Sequence, residues 1–219
     1  TCALPILAWE KGESVAFTCA YAGNLRNIAK TLRQLEEISG SSKIEIAHEM
    51  EDLLAGSVEL YEDAARKQAL LAGYAKKCEH NISGDTIVVR LDQLAANLEG
   101  KADWMMKNIR ANEWVKDGED GWFNGYYDNH GRKVEGVMDE SVRMMLTGQV
   151  FAIMSGTATE DQVESICRSA DKYLYDQKAG GYRLNTNFHE EKFDLGRMFG
   201  FAYGEKENGA VFSQIGRAS

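Results

Sequence analysis

The sequence has one proline, Pro5, and no pair of cysteines at CxxC spacing; its four cysteines stand at positions 2, 19, 78 and 167. Cysteines scattered in this way exclude a zinc ribbon and a CxxC redox centre, and they fit reduced thiols in a cytoplasmic protein better than a disulfide framework. Nothing approaches the ~18 consecutive apolar residues of a membrane-spanning helix. No Met starts the chain and no Lys/Arg-led apolar segment marks a signal peptide. Basic residues are outnumbered: 25 Lys and Arg against 34 Asp and Glu give a net charge of -9. That balance leaves no basic face for nucleic acid. GxGxxG, Walker, GxSxG and HExxH motifs are all missing, and "DGEDG" (117–121) lacks the spacing and terminal Glu of an EF-hand loop. No metal and no organic cofactor is therefore expected, and a neutral or polar substrate suits the charge.

What is present is ordinary globular material. The 219 residues have the length of one large domain, or two small ones at most, and their 44% hydrophobic and 27% charged make-up is that of a folded chain. The two ends read differently. "TCALPI" is the translation of ACG TGT GCT CTT CCG ATC, the end of a common short-read sequencing adapter, and "IGRAS" follows from ATC GGA AGA GCG TCG, an adapter read outward. Residues 1–7 and 214–219 are accordingly expected to be adapter-derived, with Leu7 and Gln214 on junction codons. The native segment is expected to run over residues 8–213, as part of a longer gene.

Helical spacing of Val15, Cys19, Ala22, Leu25, Ala29, Leu32 and Leu35 predicts a helix over 13–38, closed by "SGSS" with Gly40 as end cap. A second helix is predicted over 42–75 from Ile46, Leu53, Leu54, Val58, Leu60 and Leu70. Residues 87–89 read as an edge strand or a helix start. Residues 92–114 form a helical face with Leu94, Leu98, Trp104, Met105 and Ile109, interrupted by Gly100. Gly118, Gly121 and Gly125 among aromatics, followed by "DNHG", read as a β-hairpin. The apolar stretch 141–155 ends at "SG". Thr159 with Gln162 three residues on is a capping box opening a helix whose apolar face is Val163, Ile166, Ala170 and Leu174. A short strand is expected at 182–184, and glycines at 196, 200, 204 and 209 predict loop from Asp194 onward. No repeat of fixed period appears. Long helices alternating with hairpins and glycine-rich loops fit a helical toroid carrying functional loops.

Three stretches can carry chemistry, each with a plain structural alternative. "YGEKENGAVFS" (203–213) sets Glu205, Lys206, Glu207 and Asn208 between glycines, a mix that can donate to and accept from sugar hydroxyls, or simply form a solvated turn. Trp122, Tyr126 and Tyr127 can stack on sugar faces; as hairpin aromatics they more readily pin the hairpin to the helices. His130 has no partner nearby in sequence and reads as a turn residue. The stretch 183–200 holds Arg183, Asn185, Asn187, His189 and Arg197; Arg183 and Arg197 can hold a phosphate or carboxylate, though such residues more often knit loops together. A catalytic carboxylate cannot be chosen among 34 acids by spacing.

"TGQVFAIMSGTATEDQVESICRSADKYL", "GGYRLNTNF" and "LGRMFGFAYGEKENGAVFS" resemble the C-terminal part of the catalytic domain of glycoside hydrolase family ninety-four, the inverting cellobiose, chitobiose and 1,2-β-oligoglucan phosphorylases. The helix after "SGTATEDQ", the hairpin "WFNGYYDNHG" and the opening "GESVAF" fall in the family's order. The resemblance implies an all-α fold, an incomplete (α/α)6 barrel with short β-hairpins and long loops. It implies a hexosyl-transferring phosphorylase whose partners are a β-linked gluco-disaccharide or oligosaccharide and inorganic phosphate as co-substrate, giving an α-sugar 1-phosphate with inversion. The full-length parent is expected to be a homodimer. Lys206 aligns with a lysine near the acceptor sugar, and Glu207 and Asn208 share its motif, so all three are expected to bind substrate. Gln214 occupies the place of a phosphate-contacting His, and its junction codon is compatible with a truncated His codon. The family's general acid lies in a DWND-type motif before "GESVAF"; here "LAWEK" stands there, and "ADWMM" (102–106) is too far downstream to serve. No catalytic residue is assigned, and the chain alone is expected to be inactive. A hydrolase on the same barrel and a non-catalytic helical sugar-binding or scaffold module are the alternatives.

Overall fold

The computed structural model describes residues 12–54, 60, 62–138, 141–192, 195 and 197–211. The chain divides into two compact units, one running to Gly23 and resuming at Met105, the other comprising Asn24–Trp104. Helices dominate, and every sheet among the described residues is a two-stranded antiparallel ribbon.

Strand β1 (Glu13–Ser14) leads directly into helix α1 (Val15–Ser39). The Ser14 hydroxyl accepts the Phe17 N–H at 3.2 Å, satisfying one of the donors that a helix start leaves open. The helix stops where expected: Gly40 has φ +66, and its N–H donates to Glu36 O. Of the predicted face, Val15, Cys19, Ala22, Ala29 and Leu32 are buried and Leu25 is half-buried, but Leu35, at the helix end, is exposed, as are Ile28 and Ile38.

In the unit of residues 24–104, Ala29, Leu32, Leu91 and Ala95 make a small core flanked by Ile44, Leu94 and Leu98. The predicted helix over 42–75 does not start where expected. Residues Lys43–Ala47 are strand β2, paired with β3 (Thr86–Arg90) from Lys43↔Arg90 to Ala47↔Thr86. Ile44 and Ile46 alternate with Lys43 and Glu45, a period of two that shows only when Ile44 is counted with Ile46, and the partner strand that makes use of it lies about forty residues away. A 3₁₀ turn (His48–Met50) and the short helix α2 (Glu51–Leu54) follow. Helix α3 covers Ala64–Lys77, capped by Asp63, whose carboxylate accepts the Arg66 N–H. Val58 lies outside the described residues. Helix α4 (Leu91–Asn112) continues through Gly100 without a break.

In the other unit, β4 (Trp114–Asp117) and β5 (Asp120–Phe123) form the expected hairpin around Gly118, which takes φ +63. Strand β6 (Tyr126–Tyr127) pairs with β1. Strands β7 (Gly136–Val137) and β8 (Val142–Arg143) lead into helix α5 (Leu146–Met154). Helix α6 (Glu160–Tyr173) begins with both halves of the capping box, Thr159 and Gln162 each satisfying the other's backbone. The ribbon β9 (Tyr175–Asp176) and β10 (Gly181–Tyr182) follows; the strand expected at 182–184 starts one residue earlier and ends two earlier, and its partner β9 was not predicted. The region read as loop contains a 3₁₀ turn at Arg197–Gly200, and Leu195, Met198 and Phe199 there are core residues with Ala16, Tyr126, Val134, Met145 and Phe188. Glycines at both ends of that turn masked its apolar residues.

Candidate functional site

Three segments meet around Asn185. The Leu146 N–H donates to Leu184 O, Thr186 N–H to Met144 O, and Leu184 N–H to Ala210 O. Isolated bridges join Met145 to Asn185 and Arg183 to Val211. The start of α5, the "RLNT" segment and the chain after "KEN" thus lie side by side. Asn185 is fully buried at their junction. Its Nδ2 donates to Asn208 Oδ1 at 3.1 Å and to Thr186 O, and its Oδ1 accepts the Gly209 N–H at 2.7 Å.

The "KEN" residues form a closed turn. The Gly204 N–H donates to Asn208 O at 2.7 Å, and the Asn208 N–H donates to Glu205 O. Asn208 is buried, and its Nδ2 donates to Phe201 O, so its side-chain amide is engaged at both ends. Gly209 takes φ +74 with the Tyr203 ring against it; a Cβ there would stand 2.3 Å from Tyr203 Cε2, so no other residue fits. Lys206 stands exposed at the tip with φ +46 and its ammonium 4.7 Å from the Phe201 ring centre. A lysine in the left-handed region costs roughly 1–2 kcal/mol, and strain of that kind collects where a side chain must be aimed. Glu207 is half-buried beside it. Gln214 lies outside the described residues.

The arginine at the edge of this site is committed to the scaffold. Arg183 donates from Nε and Nη2 to Asp176 Oδ2 and from Nη1 to Gly209 O, and its guanidinium lies over Tyr203. This is the loop-knitting alternative, not an open anion site. Asn187 holds the His189 N–H. The Arg197 side chain lies outside what the structure describes.

The aromatics of the hairpin likewise take the structural role. Trp122 is fully buried, edge-on to Tyr173, and Tyr126 is buried. Tyr127 donates its hydroxyl to Glu113 at 2.8 Å, and burial together with that carboxylate raises its pKa. His130 is exposed in a turn, its N–H on Asp128 Oδ1. Asp117 is held by Lys172 and the Tyr173 hydroxyl, which keep it below the usual carboxylate range, and Asp120 by Arg168. Among the described residues no His, Cys, Asp and Glu cluster could hold a metal ion, and no helix is long and apolar enough to cross a membrane.

One acid stands out that spacing could not single out. Glu135 is fully buried, with Oε2 accepting the Gly125 N–H at 2.5 Å and Oε1 accepting the Met145 N–H at 2.6 Å and Gln149 Nε2 at 3.4 Å. Burial pushes its pKa up to about 8, against the pull of the two backbone donors. Gln149 completes the network, exchanging bonds with both the N–H and the C=O of Phe123. Through Met145 this network abuts Asn185, and so the turn bearing Lys206.

Residues 89–216, more than half of the chain, match the sequence model of the Glycosyl hydrolase 94 superfamily, catalytic domain. The chain belongs to this family. Its matched region contains α4, the hairpin, the Glu135 network and the Lys206 turn. The chain is 30% identical over 129 residues to solabiose phosphorylase of Paenibacillus borealis, an alignment covering 59% of this chain and 16% of that protein. It is 31% identical over 145 residues to cellobionic acid phosphorylase of Neurospora crassa, covering 65% and 16%. N,N'-diacetylchitobiose phosphorylase of Vibrio proteolyticus is 30% identical over 98 residues, covering 44% and 12%. The matched part of the chain spans 12–16% of the length of these family 94 relatives.

Proposed function

We propose that the chain is part of the (α/α)6 catalytic barrel of a phosphorylase that cleaves a β-linked gluco-disaccharide or oligosaccharide with inorganic phosphate. The observation that carries this reading is the strained, exposed Lys206 at the tip of a turn pinned from beneath, within the segment that matches family 94. The phosphorylase names of all three relatives support phosphate as the acceptor of the glycosyl group. Exposed Ile28, Leu35 and Ile38 on α1 support a barrel in which that helix has a further neighbour.

A phosphate oxygen attacks the anomeric carbon as the glycosidic C–O bond breaks, and a carboxylic acid protonates the departing oxygen. One displacement inverts the centre and yields an α-sugar 1-phosphate. Lys206 donates to a hydroxyl of the acceptor sugar, with Glu207 accepting beside it and Asn208 holding the turn. The phosphate contact falls to the histidine expected at the position that Gln214 occupies here. No general acid is assigned in this chain: Asp103 of "ADWMM" is ion-paired with Arg26 at 2.6 Å.

The test is the protein encoded by the complete gene that carries this segment, assayed on cellobiose, 1,2-β-glucan and chitobiose. Sugar 1-phosphate release that requires inorganic phosphate supports the proposal. Phosphate-independent hydrolysis would make it a hydrolase, and saturable glycan binding without turnover a binding module; either result overturns the phosphorylase reading.

A further inference from the structure

We infer that Asn185 is a positioning residue that sets the geometry of Lys206, which for its ligand rests on the sugar-contact reading above. The argument begins with what the turn needs. Lys206 holds φ +46, a conformation an isolated lysine leaves readily, so the surrounding chain must impose it. The turn closes on itself through the bonds of Gly204 and Asn208, but a short closed turn still pivots on its two ends.

Asn185 grips both ends. On the entering side its carbonyl accepts the Tyr203 hydroxyl at 3.2 Å. On the leaving side its side chain takes the Gly209 N–H and the Asn208 amide oxygen together. The residue is itself fully buried, bridged to Met145 at the head of α5 and tied to Thr186 O. Only a side chain with an acceptor and a two-hydrogen donor on one short arm meets these demands. Aspartate keeps the acceptor for Gly209 and loses both donor bonds; glutamine moves the amide by a methylene; alanine loses every side-chain bond and keeps only the backbone carbonyl that accepts the Tyr203 hydroxyl. Asn185 is itself fully buried, so any influence on a sugar runs through the residues it holds, Lys206 and its neighbours in the turn.

Amide hydrogen exchange and cellobiose titration on the 219-residue chain test this, using Asn185→Ala, Asn185→Asp, Lys206→Ala and the double variant Asn185→Ala/Lys206→Ala. In Asn185→Ala the Asn208 and Gly209 amides should exchange about tenfold faster or more, with Leu146 and Leu174 unchanged. In Asn185→Asp the Gly209 amide should stay protected while Asn208 loosens. An unchanged Gly209, or a uniform rise across the core, overturns the inference, the second because it marks a general loss of stability. Cellobiose affinity should fall in Asn185→Ala and fall no further when that change is added to Lys206→Ala; additive losses overturn it. A wild-type chain that does not bind cellobiose counts against the sugar-contact reading alone, and the exchange data then decide the role of Asn185.

Discussion

The backbone N–H of Gly125 donates to Glu135 Oε2 at 2.5 Å inside a fully buried network, and the two residues are close enough that a Cβ on Gly125 would stand 2.9 Å from that oxygen. The carboxyl of Glu135 thus joins the strand after the hairpin to the head of α5.

The raised Glu135 pKa makes stability depend on pH with a definite sign. Between about 4.5 and about 8 the folded state keeps a proton that the unfolded chain has released. Stability attributable to this group is therefore full below that window, falls as pH rises through it by up to about 1.4 kcal/mol per unit, and levels off above it. Urea unfolding of wild type and Glu135→Gln at pH 5, 6, 7 and 8 checks this. The variant should be less stable at pH 5, because one backbone amide meets an NH2 group, and its deficit should shrink towards pH 8. Parallel profiles would contradict the assignment.

Gly148 of α5 packs against Gly125 so closely that a Cβ on Gly148 would lie 3.1 Å from Gly125 Cα. Gly148→Ala should destabilise by about 1–3 kcal/mol despite alanine's better helix propensity. Thermal unfolding followed by circular dichroism reads the loss. An unchanged or raised midpoint would mean that the helix shifts freely.

Thr159→Ala removes the cap of α6 and should cost about 1 kcal/mol. Thr159→Ser, which keeps the hydroxyl that accepts the Gln162 N–H, should lose much less. The pair of urea midpoints distinguishes a lost cap from a lost methyl group.

Lys206→Gly should separate stability from binding. Glycine relieves roughly 1 kcal/mol of left-handed strain, offset in part by the cation–π contact with Phe201, worth about 0.5 kcal/mol at an exposed site. The melting temperature should hold or rise while cellobiose affinity falls. A fall in both would place Lys206 among the residues that merely hold the turn.

The thiols should differ in reactivity. Burial pushes the Cys19 thiol up to about 11, against a hydrogen bond with Thr157, whereas Cys167 is exposed. At pH 8, N-ethylmaleimide should label Cys167 rapidly and Cys19 only on unfolding. Mass spectrometry of peptides from a timed reaction reads both sites.

Where a feature depends on neighbours in the chain, it was legible before any coordinates. The Thr159–Gln162 capping box and the Gly40 stop each involve residues within four positions of one another, and the hairpin around Gly118 pairs residues no more than nine apart. The segment 43–47 reads as helix because its partner, 86–90, is remote, and Ile46 taken without Ile44 falls in helical register with Leu53. Leu195, Met198 and Phe199 are hidden among glycines for the same kind of reason: they pack with Ala16, Tyr126 and Val134, far back in the chain.

The candidate site divides along the same line. The letters "KEN" drew attention to residues 206–208, and resemblance to family 94 gave them meaning. That Asn208 turns inward while Lys206 faces solvent depends on Asn185, twenty-three positions earlier. Likewise Glu135 is one acid among 34 in the sequence, and only its burial against Gly125, Met145 and Gln149 sets it apart. Sequence alone determined the helical character, the caps, the turns and the family, because these follow from local spacing and short motifs. Tertiary structure decided which polar residues are aimed outward and which are spent on the scaffold, because burial and hydrogen-bond partnership are properties of segments brought together from across the chain.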